Sequence, residues 1–256
     1  IVSNLCSCGA WSGSLGLESA PNLYVQHLVE IFREVRRVLK DDGTVWLNLG
    51  DSYSGYHGNS QVPDDMAPSN KPGYVENMRT TTVGVCGLKP KNLVGIPWRV
   101  AFALQEDGWY LRSDIIWAKS NPMPESVRDR PTRSHEYLFL LSKSRHYYFD
   151  ATAVKEPVSG GAHRKGHKLS PPREDVGIGH HDWCRTTPNL VMHRNIRSVW
   201  FLPTQPYKGA HFATFPEKLV EPCILAGCPP GGIVLDPFCG SGTVGVVAQR
   251  LGRAWV

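Results

Sequence analysis

Near its end the chain runs Gly232-Ile233-Val234-Leu235-Asp236-Pro237-Phe238-Cys239-Gly240-Ser241-Gly242-Thr243-Val244-Gly245-Val246-Val247-Ala248, and no other stretch constrains the fold as tightly. Ile233, Val234 and Leu235 are too few and too β-branched for a helix, so they read as a buried parallel strand. Asp236 and Pro237 end it. Glycines at 240 and 242 let the backbone turn tightly and approach a ligand. Val244 onward reads as the first turns of a helix. The product is a strand, a glycine turn and a helix start whose free N–H groups favour a carboxylate or phosphate. Gly240, Gly242 and Gly245 also satisfy G-x-G-x-x-G, a pattern that fits nicotinamide and flavin sites and can mark an ordinary α/β turn.

The 256 residues suffice for one α/β domain plus a small insertion, and 41% hydrophobic residues supply a core. The net charge of +5 is compatible with nucleic acid without requiring it. Seven cysteines without a regular framework favour a reducing, cytoplasmic setting over secretion. No apolar run reaches the length of a membrane span, and no signal peptide is visible. Opening at Ile1 and stopping at Ala254-Trp255-Val256, which reads as a further strand, the sequence reads as an internal piece of a longer protein.

Cys6 and Cys8 form a lone C-x-C, and His180, His181 and Cys184 lack a full ligand set, so no metal is expected. Residues 21–40 carry apolar side chains at helical spacing, opened by Pro21 and stopped by Asp42-Gly43. Residues 44–49 read as a strand ending in Gly50-Asp51-Ser52-Tyr53. In an open α/β sheet the carboxyl ends of strands hold the ligand, which makes Asp51 and Tyr53 site candidates; the alternative is a turn with a helix-capping Asp. Residues 54–91 read as a long mobile loop that covers a ligand, touches DNA or lies on the surface. A helix at 97–106 and strands at 110–117 and 135–143 follow.

From 151 to 198 apolar periodicity fades. Arg164, Lys165, Lys168, Arg173 and Arg194 belong to a basic stretch suited to phosphates, or to a solvated loop. Phe212-Ala213-Thr214-Phe215-Pro216-Glu217-Lys218-Leu219 opens a helix, with Thr214 as cap, Pro216 in the first turn and Glu217 complementing the dipole. Cys223 and Cys228 read as small core residues.

Residues 236–243 resemble the cofactor loop of the S-adenosylmethionine-dependent DNA amino-methyltransferases, which methylate adenine N6 or cytosine N4. Trp117-x-Lys119-x-Asn121-x-Met123-Pro124, followed by residues 135–143, resembles the family's late core motifs. Residues 212–219 resemble the helix start that closes over the methionine end of the cofactor. The order, with the catalytic half first and the cofactor loop last, is similar to the β-type arrangement, and the likeness spans residues 15–256.

The resemblance implies an α/β, Rossmann-like methyltransferase fold: a mostly parallel sheet with an antiparallel edge strand, in circularly permuted motif order. It implies a catalytic half at 1–150, a target-recognition insertion at 151–198 carrying the basic residues, and a cofactor half at 199–256. S-adenosylmethionine would be held by Asp236, Pro237, Phe238, Cys239, Gly240, Ser241, Gly242 and Thr243, with Phe212, Thr214, Phe215 and Pro216 completing the pocket. The implied partner is double-stranded DNA, with a cognate restriction endonuclease left open. His135 and Glu136 are either catalytic or lock a loop.

The family's Pro-Pro-aromatic catalytic tetrad does not stand in this sequence. Ser170-Pro171-Pro172-Arg173 imitates it, but Arg replaces the aromatic and no strand precedes it. The tetrad is expected before Ile1 and the ribose-binding acid after Val256, so this piece alone is expected to be inactive. The catalytic residues stay unassigned, apart from Asp51 as a candidate. A nucleotide-dependent oxidoreductase, an inactive DNA-binding relic, and a methyltransferase acting on RNA or a small molecule are the alternatives.

Overall fold

The computed structural model describes residues 13–18, 20–54, 88–89, 91–157, 193–205 and 215–256. Helix α1 (Pro21–Val38) begins with Pro, where a missing N–H leaves no bond unmade. Leu28, Phe32 and Val35 share its buried face at spacings of four and three. Arg33 on the outer side reaches Asp107 at 2.6 Å. The helix stops short of Lys40, because Leu39 is already extended.

Strand β1 (Thr44–Leu49), helix α2 (Ile96–Glu106) and strands β2 (Tyr110–Lys119) and β3 (His135–Ser142) follow in order. Successive side chains of a strand face opposite ways, and β3 shows the result. Phe139 and Leu141 pack with Leu47 against Leu28, Phe32, Val100 and Leu104 of α1 and α2. Leu138 points to the other face, joining Ile115, Trp117 and Trp200 against Leu219 and Cys223 of helix α3 (Glu217–Gly227). Phe139 and Leu141 are fully buried, and each such side chain stabilises the fold by roughly 1.5–3 kcal/mol.

The sheet order is β1-β3-β2-β6, where β6 is Val199–Leu202. β3 runs antiparallel to both β1 and β2, whereas β2 and β6 are parallel. Two of the three ladders in this sheet are therefore antiparallel, where the resemblance implied a mostly parallel sheet, and the reversed strand lies inside the sheet, not at its edge. The burial of β3 explains the position: its last five residues are all buried, and an apolar strand with two covered faces belongs between neighbours.

Strand β7 (Ile233–Val234), helix α4 (Thr243–Arg250) and strand β8 (Ala254–Trp255) form a parallel β-α-β unit with its own two-stranded sheet. The expectation of a buried strand fails here, since Ile233 is 68% and Leu235 42% exposed. The reason is partnering: among the described residues β7 pairs with β8 alone. Helix α3 joins the two sheets. Its Val220 and Ile224 pack on Val247 and Ala248 of α4, and Glu217 is ion-paired with Arg250. Pro216 occupies the position just before this helix, in extended backbone, so it is the N-cap and not a first-turn residue. The helix also runs through Pro222.

A two-residue ladder, β4 (Glu156–Pro157) with β5 (His193–Arg194), closes the ends of the stretch between them. No helix among the described residues is long and apolar enough to cross a membrane.

Candidate functional site

The glycine turn follows β7. Asp236 Oδ1 accepts the Phe238 N–H at 3.1 Å, and the Gly242 N–H reaches the Cys239 carbonyl at 2.7 Å. Gly240 and Gly242 have φ of +51° and +76°, in the region that side chains with a Cβ avoid. Gly242 is the N-cap of α4 and contributes no side-chain cap. Val246 N–H bonds back to the Gly242 carbonyl, so the N–H groups of Thr243, Val244 and Gly245 have no acceptor within the helix.

The third glycine has a different task. A Cβ on Gly245 would lie 2.6 Å from the Trp255 ring, whereas one on Gly242 would meet nothing. Gly245 lets α4 lie against β8, and Gly240 and Gly242 shape the turn. Ser241 and Thr243 hydroxyls lie 3.0 Å apart beside it. Phe238 is 47% exposed, and its ring centroid is 6.5 Å from that of Phe32, so the turn leans on α1. Phe215 packs between α3, β6 and α4. These features fit the methionine end of S-adenosylmethionine: a carboxylate at the turn, N–H donors without an acceptor in the helix, a part-buried pair of hydroxyls and an aromatic wall. Phe212 and Thr214 lie outside the described residues.

A second cleft, of about 300 Å³, opens at the carboxyl ends of β1 and β2, lined by Gly50, Asp51, Lys119, Pro122, Met123, Glu125, Arg133 and Glu136. Asp51 Oδ1 accepts the N–H groups of Ser52, Gly95 and Ile96 at 2.9–3.0 Å. It therefore caps α2 from a neighbouring strand end. Its side chain is 3% exposed and faces Arg133 at 3.5 Å, while Arg133 also donates to the Asp51 carbonyl. Lys119 Nζ lies 2.5 Å from Glu136 Oε1 and 4.8 Å from the Trp117 ring centroid.

Glu125 takes the Arg130 guanidinium at 2.6 Å and the Arg133 N–H at 3.1 Å. The Arg130 bond foremost holds its carboxyl below the usual carboxylate range. Tyr53 lies under Arg130, 4.0 Å from ring centroid to guanidinium. His135 stands edge-on to Tyr137, so of the two residues flagged beside each other Glu136 faces the cleft with a charged partner. Lys119 and Asn121 were legible as part of a motif. The roles of Glu125, Arg130 and Arg133 were not, because their partners lie on a loop without periodicity; a run of alternating charge, Glu125-x-x-Arg128-Asp129-Arg130-x-x-Arg133, was the available signal.

Of the basic residues singled out for DNA, Arg194 is described, and its Nε is 3.1 Å from Glu156 Oε2 in the ladder. Arg164, Lys165, Lys168 and Arg173 lie outside the described residues, as do the C-x-C, the Ser170-Pro171-Pro172-Arg173 imitation, His180, His181, Cys184 and most of the 54–91 loop. Among the described residues no group of His, Cys, Asp and Glu could hold a metal ion.

A family profile described as DNA methylase, of the N6/N4 methyltransferase type, matches residues 10–256. The chain belongs to the DNA methylase family. It is similar to the Type II methyltransferase M.SmaI of Serratia marcescens, with 50% identity over 244 residues, covering 95% of this chain and 72% of that protein. It is similar to M.Cfr9I of Citrobacter freundii, with 49% identity over 242 residues, covering 94% and 69%. Among solved structures, the cytosine-N4-specific PvuII DNA methyltransferase superposes with a TM-score of 0.58 at 18% identity, covering 92% of this chain and 65% of that one. The Thermus thermophilus protein TTHA0409, complexed with S-adenosyl-L-methionine, superposes with a TM-score of 0.52 at 20% identity, covering 91% and 70%. These structural likenesses establish the fold. The DNA methylase thus has an α/β methyltransferase fold.

Proposed function

We propose that the protein carrying this chain transfers a methyl group from S-adenosylmethionine to the exocyclic amine of one cytosine or adenine within a specific double-stranded site. The observation that carries this is the presence in one fold of two half-sites: the glycine turn after β7, whose Phe238 ring meets Phe32 of α1, and the charged cleft at the ends of β1 and β2. When bound, S-adenosylmethionine supplies an electrophilic methyl group on a sulfonium. Asp236, Pro237, Phe238, Cys239, Gly240, Ser241, Gly242 and Thr243 hold its amino-acid end, and Phe215 and Pro216, with Phe212 and Thr214, complete that pocket.

The cleft lined by Asp51, Lys119 and Glu136 receives the target base once it leaves the duplex, an extrusion that costs a few kcal/mol. Lys119 and Glu136 place a donor and an acceptor side by side for the base edge. Hydrogen bonds accepted from the target amine by the family's Pro-Pro-aromatic tetrad expose the nitrogen lone pair, and positioning supplies the rate. Among the described residues β1 and β7 each have one unpaired side, which supports a tetrad-bearing strand between them. Asp51, whose carboxylate caps α2, shapes the cleft.

The stretch 151–198 reads the DNA, its basic side chains meeting phosphates. The same reading puts the protein in the cytoplasm, with a cognate restriction endonuclease as the partner expected of a Type II modification enzyme. The test is transfer of tritium from labelled S-adenosylmethionine into plasmid DNA by the protein with its flanking sequence in place, followed by nucleoside mass spectrometry. N4-methylcytosine or N6-methyladenine is expected. Absence of both, or preferential binding of NAD in equilibrium dialysis, would overturn the proposal.

A further inference from the structure

Met123 is 82% exposed, more than any other large hydrophobic side chain among the described residues. Single exposed apolar residues are ordinary on protein surfaces. Three features set this one apart. It stands on the rim of the charged cleft. It sits between Pro122 and Pro124, whose rings fix φ and remove the backbone donors that would let the tip fold back.

The loop is also fastened on both sides of the tip. On one side the Thr204 N–H and hydroxyl reach Asn121 Oδ1 at 2.7 and 3.1 Å, and Asn121 Nδ2 donates to the Thr204 carbonyl at 3.3 Å. On the other, Glu125 is held by Arg130 and the Arg133 N–H. A fastened loop therefore carries a long, unbranched apolar side chain out into solvent beside a polar hollow, where burial against the protein would ordinarily take it.

We propose that Met123 is a wedge that enters the base stack of bound duplex DNA and fills the place vacated by the extruded base. This rests on the reading of the neighbouring cleft as the base pocket. Apolar wedges, methionine among them, are a known device for parting base steps. A thioether chain is polarisable enough to lie against base faces. Extruding a base leaves an apolar gap one base high, and an occupied gap slows the base's return. Arg128, exposed on the same loop, is available to a flanking phosphate.

The test uses the protein with its flanking sequence, after the methylated position has been mapped in DNA from cells that express it. Single-turnover methylation is measured on a matched duplex and on one whose target faces an abasic position, where less is needed to free the base. For M123A the matched rate is expected to fall at least about tenfold and the abasic rate less than about threefold, with M123L close to wild type on both. Affinity for S-adenosylmethionine stays unchanged, which confirms folding; should M123A not fold, M123Q keeps the length, loses the apolar surface and is expected to show the same split. Equal rates for M123A and wild type on matched DNA, or an equal loss on both duplexes, would overturn the wedge. Wild-type protein that methylates no DNA would instead overturn the functional reading, and the wedge with it.

Discussion

Replacing Gly245 by alanine sets two effects of opposite sign against each other. Inside an exposed helix the change removes backbone freedom from the unfolded chain and stabilises by roughly 0.5–1 kcal/mol. Here the new Cβ would lie 2.6, 2.7 and 2.8 Å from three atoms of the Trp255 ring. An ordinary contact begins near 3.4 Å, so α4 or the ring must move by about 0.8 Å, a shift of the kind that costs about 1–3 kcal/mol in a packed interior.

Trp255 is 45% exposed, which leaves the ring room to rotate and places the cost toward the lower end of that range. Strain is still expected to win, by about 0.5 kcal/mol, or roughly 1–2 °C in melting temperature for a chain of this size. The larger effect falls on the cofactor, because α4 begins at the turn. Calorimetric titration should show S-adenosylmethionine binding weakened at least about tenfold, equivalent to about 1.4 kcal/mol. Adding W255V removes the obstructing ring and should restore much of both losses. A G245A protein that melts above wild type with undiminished affinity would refute the packing account of this glycine.

Asp51→Ala should lower stability by about 1–3 kcal/mol in urea titration, since it uncaps α2 and strands Arg133, whereas Asp51→Asn keeps an acceptor and should lose less than half of that. Glu136→Gln leaves Lys119 without its counter-charge and should slow methyl transfer about tenfold while sparing S-adenosylmethionine affinity; a matching loss of affinity would contradict the separation of the two half-sites. The Glu156 carboxyl is held below its ordinary value, foremost by the Arg197 N–H and then by the Arg194 and Arg197 side chains, against opposing burial. A depressed carboxyl stabilises above its unfolded pKa of about 4.3, and that contribution fades as pH falls through the folded value. Wild type should therefore exceed Glu156→Gln by a constant margin at neutral pH and by a shrinking margin in acid; a margin that widens on acidification would be the wrong sign.

The strongest local signals in the sequence correspond to the parts of the structure set by local chemistry. Three glycines in a short turn, a proline-opened amphipathic run at 21–40 and apolar strands at 110–117 and 135–143 each declare their conformation within their own span, to within two residues of the observed ends. Partnering was not legible in the same way. Ile233 and Leu235 look like interior residues, and their exposure depends on a neighbour that no local pattern names. The interior place of β3 is likewise a property of the sheet. Asp51 shows a subtler gap: an acidic residue at a strand end looks the same whether it faces a ligand or caps a helix 44 residues away, and only the backbone donors around it distinguish the two. Pro216 shifted by one position because its ring suits the residue before the first turn as well as the turn itself.

The ladder that closes the stretch between β4 and β5 meets on a single side chain. Glu156 accepts the Arg197 N–H at 2.9 Å and takes the Arg194 and Arg197 guanidiniums at 3.1 and 2.9 Å, while the Arg197 carbonyl receives the Trp200 ring N–H at 2.6 Å. Departure and return are thus tied together next to the sheet, and doubling the intervening length costs only about 0.6 kcal/mol in closure entropy. On the proposal that 151–198 reads DNA, the arrangement would work as a socket, in which one address-reading segment could be exchanged for another with the ladder and the sheet beside it kept as they are.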